Sequence, residues 1–319
     1  MGALISCIGN LCALIGQAFP PKPTFSVDQI PDLTGQVVIV TGGNTGIGKE
    51  TVRALLLHDA KVYLAARSKE KADAAITDLK ASTGREAFFM ELDLADMSSV
   101  KKAARDFLSK EPELHILFNN AGVMFPPLSQ ITADGFDLQF GVNVLGHFYL
   151  TELLMPALLA GKGSSPDHHA RVVTTSSAAS YLGTLHWETF KDGPARRRET
   201  TDALYNQSKL ANVIVARETA KRYGHQGIIS IAVNPGNIQS DLQRHLPSII
   251  PKLGALTVLY PTPYGALTQL WAGTMPQALH YNGEFFIPWA RPGKCRAEAY
   301  DPAIGERLWN WLEEQVRGI

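Results

Sequence analysis

The chain has 319 residues and a mass of 34.7 kDa, enough for one large α/β domain with a well-buried core. Its hydrophobic content of 45%, formal net charge of zero and pI of 7.1 exclude a strongly basic surface for nucleic acid. Three cysteines, Cys7, Cys12 and Cys295, are too few and too scattered for a disulfide framework or a metal cluster, so we predict no metal site and a cytoplasmic, reducing location.

The N-terminal residues 1–32 are predicted to precede the main domain as an apolar helix and a proline-rich linker. Residues 3–19 are mostly apolar, and the linker begins at Pro20. The run is barely long enough to span a bilayer and lacks the basic start of a secretory signal. Two alternatives stay open. The helix packs on its own domain, or it contacts a membrane such as the endoplasmic reticulum, where Gly2 fits an N-myristoylation pattern.

From residue 36 onward, short β-branched runs alternate with longer amphipathic runs. This alternation predicts βαβ units in a doubly wound parallel sheet with helices on both faces, so that residues 33–319 form a single α/β domain. About seven strands are predicted, at 36–41, 61–66, 86–92, 114–118, 171–176, 228–233 and 284–287. The clearest helices are predicted at 47–58, 69–81, 97–109, 134–160, 203–223 and 302–316.

The first strand runs into a glycine turn and then into a helix. Gly42, Gly46 and Gly48 allow a phosphate group to approach the backbone, and the helix N-terminus offers unpaired N–H groups. Residues 43–49 also match the first seven positions of a P-loop. Glu50, however, stands where a hydroxyl would bind magnesium, so a P-loop-like NTPase is only a remote alternative.

The end of the second strand bears on which dinucleotide binds. An NAD site usually places an acid about twenty residues after the glycine turn, whereas an NADP site places a cation near the 2′-phosphate. Here Ala66 occupies the acid position and Arg67 follows, with Lys69 close by at the start of a helix. Because a helix N-terminus disfavours cations unless an anion lies between them, we predict a preference for NADP(H).

Tyr205 has a lysine four residues later, Lys209, so both side chains are expected on one helix face. A free phenol titrates near pH 10, about three units above neutral pH, and an adjacent ammonium lowers that pKa. Ser177, with Ser176 as an alternative, ends the preceding strand. The pattern therefore predicts a proton-transfer site at the carboxyl edge of the sheet.

From about residue 33 to the C-terminus the sequence resembles the classical short-chain dehydrogenase/reductase family. The resemblance is carried by TGGNTGIG at 41–48, Asp93, NNAG at 119–122, Asn143, Ser177, Tyr205 with Lys209, and PG at 235–236. It is most similar to the retinol dehydrogenase-like branch, through GNTGIGKET at 43–51, LAARS at 64–68 and SKLANV at 208–213. The resemblance implies a Rossmann-type fold.

The resemblance also implies roles for individual residues. Tyr205 is the catalytic acid or base, Lys209 supplies charge and binds the nicotinamide ribose, Ser177 hydrogen-bonds the substrate oxygen, and Asn143 positions a water in the proton relay. For Asn143 the alternative is a polar group satisfied inside a helix. Besides Tyr205 and Lys209, the expected cofactor-binding residues are Gly42, Asn44, Thr45, Gly46, Ile47, Gly48, Arg67, Asp93, Leu94, Asn120, Ala121, Gly122, Pro235, Gly236, Ile238 and Ser240.

Two segments are assigned to the substrate side. The 28 residues from Ser177 to Tyr205 include Trp187 and Phe190, interpreted as pocket rim, and an arginine run at 196–198, interpreted as a solvated loop. Residues 237–266 are predicted to form a lid over a hydrophobic substrate, and core packing or a membrane-facing patch stay open as alternatives.

The predicted function is that of an NADP(H)-dependent oxidoreductase that interconverts a carbonyl and an alcohol on a lipophilic small molecule. The sequence leaves the oligomeric state open, with a homodimer as one of the alternatives. A non-catalytic NADP-binding sensor or scaffold is the alternative.

Overall fold

The computed structural model describes residues 14–239 and 259–319. Within these residues, eight strands form one sheet in the order β3-β2-β1-β4-β5-β6-β7-β8. Strands β1 to β7 are parallel, and β8 pairs antiparallel with β7. Their bounds are β1 (Val37–Thr41), β2 (Lys61–Ala66), β3 (Phe88–Glu91), β4 (Ile116–Asn119), β5 (Ala170–Thr175), β6 (Ile228–Val233), β7 (Phe285–Ile287) and β8 (Arg291–Gly293). The predicted doubly wound single domain is confirmed.

Helices cover both faces of the sheet. They are α1 (Gly46–Leu57), α2 (Lys69–Thr83), α3 (Met97–Leu108), α4 (Leu138–Gly161), α5 (Thr201–Tyr223), α6 (Thr262–Thr274) and α7 (Pro302–Val316). In α4 the residues Gly141–Leu145 form a π-helical turn. Two buried apolar clusters, one on each side of the sheet, form the core.

Helix α4 is long and apolar enough to cross a membrane by length and composition. In the fold, 72% of its most apolar stretch is buried inside the protein. Phe148 packs edge to face with Trp309 of α7, with their ring centres 5.0 Å apart. The helix is therefore a core element of the domain.

Two elements differ from the sequence prediction. Strand β8 was not predicted, because Arg291-Pro292-Gly293 has no apolar alternation. Helix α6 was also missed, and its first residues, 262–266, fall within the predicted lid. Gly265 lies where an added Cβ would be 2.8 Å from both Ile47 and Ile238, so this part of the segment packs against the domain. Of the remaining lid prediction, residues 240–258 lie outside the described residues.

The strand order places a crevice at the edge of the sheet. After β1 the chain adds β2 and β3 on one side and then β4, β5 and β6 on the other, so the direction of winding reverses between β1 and β4. Ligands of doubly wound folds bind outside the carboxyl ends of the strands at this reversal. The register pairs Thr41 with Ala65 and Thr175 with Val233, which brings these strand ends to one edge.

The N-terminal segment is described from residue 14, and residues 14–18 are helical. Leu14 packs against the main core and Gln17 is 2% exposed, whereas Ile15 and Phe19 are 54% and 56% exposed. The segment thus contacts its own domain on one side and presents an apolar face to solvent on the other. The part of the predicted helix at 3–13 lies outside the described residues.

Candidate active site

A cavity of about 1100 Å³ lies at the carboxyl edge of the sheet. The expected site residues that line it are Gly42, Asn44, Thr45, Gly46, Ile47, Gly48, Arg67, Asp93, Leu94, Asn120, Ala121, Gly122, Ser177, Tyr205, Lys209, Pro235, Gly236 and Ile238. Asn143 is fully buried beside Gly122, which lines the cavity, and Ser240 is outside the described residues. The sequence-based selection therefore converges on one place in the fold.

The glycine turn forms a close backbone contact at the centre of the cavity. Gly42 and Gly46 have φ of 67° and 54°, in the left-handed region that favours glycine. A Cβ on Gly48 would lie 2.6 Å from Asn120 Nδ2 and would clash with the Gly42 carbonyl. These glycines leave room for a phosphate group at the N-terminus of α1, so the residues fit a dinucleotide.

Lys49 does not behave as a P-loop lysine. Its ammonium pairs with Asp78 Oδ2 at 2.8 Å. A P-loop lysine would instead reach the β- and γ-phosphates of the nucleotide. The structure therefore disfavours the NTPase alternative.

At the β2 end of the cavity the cations are exposed. The Arg67 side chain is 76% exposed, and its Nη1 lies 3.9 Å from Asp93 Oδ2. Lys71, one turn into α2, also lines the cavity and was not selected from the sequence. Lys69, which the sequence analysis did select, pairs with Asp73 at 2.6 Å and is not among the residues that line the cavity. Lys71 follows Lys69 by two residues in the first turn of α2, and this second lysine near the end of β2 is the signal that could have identified it.

Thr41 fixes the loop that follows β4. Its Oγ1 accepts hydrogen bonds from the main-chain N–H groups of Asn120 and Ala121, both at 2.9 Å. The Asn120 side chain returns a hydrogen bond to the Thr41 carbonyl at 2.8 Å. These hydrogen bonds hold the loop after β4 against the end of β1, beside the glycine turn.

His147 contacts the same Thr41 hydroxyl that holds the loop after β4. Its Nε2 lies 2.9 Å from Thr41 Oγ1, and its Nδ1 lies 3.2 Å from the Asn143 carbonyl oxygen. Because a carbonyl only accepts, Nδ1 carries the proton and Nε2 accepts from the threonine hydroxyl. Burial lowers the pKa of His147 to about 4, so the ring is neutral at physiological pH. Sequence analysis missed His147, because a lone buried histidine has no distinctive spacing, and it gave Thr41 no role beyond its place in the TGGNTGIG motif.

Tyr205 and Lys209 lie together in α5, as their spacing predicts. Tyr205 is 5% and Lys209 3% exposed, and the ammonium nitrogen is 5.7 Å from the centre of the phenol ring. Lys209 Nζ donates to the Thr175 carbonyl at 3.0 Å. Phe125 packs edge-on against the phenol, with ring centres 5.3 Å apart. The pair is therefore buried at the end of β5, where a main-chain carbonyl binds the ammonium and an aromatic ring packs on the phenol.

The pKa values of this pair differ from the sequence-based expectation. Burial raises the pKa of Tyr205 to about 12, although its hydrogen bond with Ser177 acts in the opposite direction. Burial also lowers the pKa of Lys209 to about 8. The expected net lowering of the phenol pKa is wrong for this structure, because desolvation of the phenolate is the largest cause and raises it, with the lysine ammonium 5.7 Å from the ring centre.

The two serines after β5 have different partners. Ser176 is 2% exposed, and its hydroxyl donates to the Lys209 carbonyl at 2.7 Å. The Ser177 hydroxyl hydrogen-bonds Tyr205 and accepts from the main-chain N–H of Ala179 at 3.1 Å. The geometry therefore favours Ser177 over Ser176 as the group beside the phenol.

Asn143 uses its side chain to hold the loop after β4. Its Oδ1 accepts from the Val123 N–H at 2.9 Å, and its Nδ2 lies 3.1 Å from the Val123 carbonyl and 3.0 Å from Ser208 Oγ. It lies in the π-helical turn and is fully buried. The side chain is thus satisfied inside the protein, and a role in positioning water stays a prediction.

Beyond β6 the chain turns sharply at Gly236, which has φ of 87°. A Cβ there would lie 3.1 Å from both Pro288 and Trp289, so the turn packs tightly against the loop after β7. Pro235, Gly236 and Ile238 form this wall of the cavity.

The segment between Ser177 and Tyr205 is more buried than expected. Phe190 is fully buried and stacks on Phe140 at 3.8 Å, so its assignment to a pocket rim is wrong. Arg196 is 2% exposed and donates to Asp137 Oδ2 at 2.9 Å, so this arginine does not belong to a solvated loop. Large apolar neighbours and a buried carboxylate, which the local sequence does not reveal, account for both errors.

Comparison with known proteins places the chain among its relatives. A family model described as short chain dehydrogenase matches residues 36–191. A short-chain dehydrogenase/reductase of Armillaria gallica is 60% identical over 310 residues, covering 97% of this chain and 99% of that protein. Human retinol dehydrogenase 12 is 40% identical over 285 residues, covering 87% and 85%.

Solved structures agree with these relatives. A protein from Mycobacterium paratuberculosis superposes with a TM-score of 0.73 at 29% identity, covering 92% of this chain and 97% of that one. Pseudomonas aeruginosa RhlG, solved as an NADP active-site complex, gives a TM-score of 0.64 at 26% identity, covering 81% and 95%. The chain is therefore an oxidoreductase with a nicotinamide cofactor, and it belongs to the classical short-chain dehydrogenase/reductase family, in its retinol dehydrogenase-like branch.

Proposed function

We propose that the protein is an NADP(H)-dependent oxidoreductase that interconverts a carbonyl and an alcohol on a lipophilic small molecule. The observation that carries the proposal is that Tyr205, Lys209 and Ser177 line the same cavity as the glycine turn. The cavity thus contains a proton donor, a second hydroxyl and a turn that can bind a dinucleotide.

The side chains have distinct tasks in this reaction. The bound cofactor supplies or accepts the hydride. In carbonyl reduction Tyr205 donates its proton to the substrate oxygen, and Ser177 hydrogen-bonds that oxygen and orients it. In alcohol oxidation the phenolate takes the proton back. Lys209, 5.7 Å from the ring centre, stabilises the negative charge on the phenol oxygen.

The proposed NADP(H) preference rests on the β2 end of the cavity. Arg67 follows the strand where an acid would hold a ribose 2′-hydroxyl, and Lys71 also lines the cavity. Both side chains reach solvent from the cavity wall, where a 2′-phosphate can pair with them. The NADP complex of the related P. aeruginosa protein supports the same choice.

The proposed lipophilic substrate rests on the apolar wall near Tyr205. Val123, Met124, Val142 and Leu259 line the cavity, and Phe125 lies against the phenol. Such a wall binds apolar groups by removing them from water. Related proteins carry the name retinol dehydrogenase, and retinol is a lipophilic alcohol.

The test of the function is Tyr205→Phe in an NADPH absorbance assay over retinoids, steroids, aliphatic aldehydes and aromatic ketones. We expect turnover to fall by about a thousandfold or more, because the proton donor is lost, while NADPH binding is kept. Tyr149→Phe is a matched control, since it removes a hydroxyl from a buried tyrosine that is not among the residues lining the cavity and should keep the wild-type turnover. Full activity in Tyr205→Phe would refute the assignment, and NADPH binding without turnover in the wild type would favour a sensor.

We also propose that the protein is cytoplasmic and contacts a membrane through residues 3–19. Support comes from Ile15 and Phe19, which present an apolar face beside the domain. Co-sedimentation of the wild-type protein with phosphatidylcholine vesicles, reduced in an Ile15→Ser, Phe19→Ser variant, is the expected result. Equal partitioning of the two proteins would contradict it.

A homodimer is proposed as the assembly, to be measured by analytical ultracentrifugation, and a monomer at micromolar concentration would overturn it.

A further inference from the structure

Gln17 is a buried polar residue in a segment that precedes the catalytic domain. It is 2% exposed, although its neighbours Ile15 and Phe19 are more than half exposed. A buried amide is costly unless it is hydrogen-bonded, so its partners indicate what the segment contributes. Both partners considered below lie on loops of the active site.

The first partner is Asn234, directly after β6. Gln17 Oε1 accepts a hydrogen bond from Asn234 Nδ2 at 2.8 Å, and Asn234 is itself 2% exposed. Asn234 Oδ1 accepts from the main-chain N–H of Gly236 at 3.0 Å. The amide of Gln17 is thus one step away from the turn that forms the β6 wall of the cavity.

The second partner is Tyr181, after β5. The Gln17 side chain hydrogen-bonds the Tyr181 hydroxyl, which in turn donates to the Lys294 carbonyl. Tyr181 ends the short helical turn Ala178–Tyr181, and Ser177 caps the start of that turn. Ser177 is the residue that hydrogen-bonds the Tyr205 hydroxyl.

Gln17 therefore connects the loops that follow two neighbouring strands of the sheet. One loop carries Ser177, and the other carries Pro235 and Gly236. The two strands are paired up to Thr175 and Val233, and beyond those residues the loops diverge around the cavity. The segment itself is fastened to the domain, because Leu14 packs on the core and Arg291 Nη2 lies 3.5 Å from the Gly16 carbonyl.

We propose that Gln17 is a positioning residue, which holds the Ser177–Tyr181 turn and the Asn234–Gly236 turn at the separation that catalysis requires. The N-terminal segment is then a part of the active site in addition to any contact with a membrane. The inference uses the proposed function only where turnover is the readout. Displacement of a reacting group by about 1 Å can lower a rate a hundredfold, so a small shift of either turn is sufficient.

The test compares Gln17→Met with Phe19→Ala in the full-length protein. Methionine is similar to glutamine in length and removes the amide, and with it the hydrogen bonds to Asn234 and Tyr181. We expect kcat to fall by about tenfold or more in Gln17→Met, while the NADPH dissociation constant changes by less than about threefold, because phosphate binding lies at the glycine turn. Phe19→Ala, two residues away and exposed, keeps the wild-type kcat. Gln17→Glu, which keeps an acceptor for Asn234, recovers part of the loss.

A second readout does not require turnover. Hydrogen–deuterium exchange of peptides covering 177–181 and 234–236 should be faster in Gln17→Met than in the wild type and unchanged in Phe19→Ala. Unchanged exchange with unchanged kcat would overturn the proposal, as would equal losses in both variants. If the enzyme assay fails for every substrate, the exchange experiment still decides on Gln17, and the two proposals are judged separately.

Discussion

The two ends of the cofactor cavity differ in burial. At the β5 and β6 end, Tyr205 and Lys209 are at most 5% exposed, whereas at the β2 end the Arg67 side chain is 76% exposed. Buried polar groups are strongly coupled to the surrounding packing, while exposed charges are screened by solvent. We therefore expect substitutions at the buried end to change chemistry and stability together, and substitutions at the exposed end to change only which cofactor binds.

The largest expected effect at the buried end comes from Lys209→Met. Methionine has a similar volume, and the Thr175 carbonyl keeps a donor because Asn212 Nδ2 lies 3.1 Å from it. The variant should therefore fold, and we expect kcat to fall by about a hundredfold or more, since the charge beside Tyr205 is lost. The measurement is kcat for carbonyl reduction, with circular dichroism as the check on folding.

The pH dependence of the same variant sharpens this prediction. Burial lowers the pKa of Lys209 to about 8, and kcat/KM for NADPH reports groups of the free enzyme. In the wild type this parameter should decline as pH rises through about 8, because the ammonium loses its proton. The residual activity of Lys209→Met should lack that decline. An identical pH profile in both proteins would contradict the role of the lysine charge.

A smaller effect is expected on stability, from His147. Its pKa is lowered by burial from an unfolded value near 6.5 to about 4. Between these values the unfolded chain binds a proton that the folded chain does not, so stability falls as the pH is lowered. The loss between pH 7 and pH 4 is on the order of 3 kcal/mol.

The measurement is the free energy of unfolding in urea at both pH values, for the wild type and His147→Gln. Glutamine does not titrate, so the variant should lose less stability on acidification than the wild type. His225→Gln, at an exposed turn after α5, is the control and should behave like the wild type. If His147→Gln lost as much stability as the wild type, another group would be responsible.

The fold could be predicted from sequence wherever apolar periodicity was strong. Strands β2 and β6 occupy the predicted residues, and α7 spans the predicted 302–316. Strand β8 was missed because three residues of Arg-Pro-Gly give no periodic signal, and it is a strand through its antiparallel pairing with β7. Helix α6 was missed because two prolines, Pro261 and Pro263, stand at its start and favoured a loop.

The candidate site was predictable where a backbone requirement selects a residue type. Gly42 and Gly46 need positive φ, and the four-residue spacing of Tyr205 and Lys209 follows from helix geometry. Thr41 and Gln17 were not predictable, because their partners lie 79 and 217 residues away in the chain. The raised pKa of Tyr205 was missed for a related reason, since desolvation depends on packing from distant elements such as the loop of Phe125.

The smallest expected effect is at the exposed end, where Arg67→Ala should weaken NADPH binding by about tenfold and leave NADH binding unchanged. The reason is that only NADPH carries the 2′-phosphate, and an exposed pair is screened by water and salt. Lys69→Ala is the control, because its ammonium pairs with Asp73.

Raising the salt concentration should narrow the difference in affinity between NADPH and NADH in the wild type. Tighter binding of NADH than of NADPH to the wild type would overturn the NADP(H) preference. A loss of kcat in Arg67→Ala would contradict the separation between the two ends of the cavity, since this residue contacts neither Tyr205 nor Lys209.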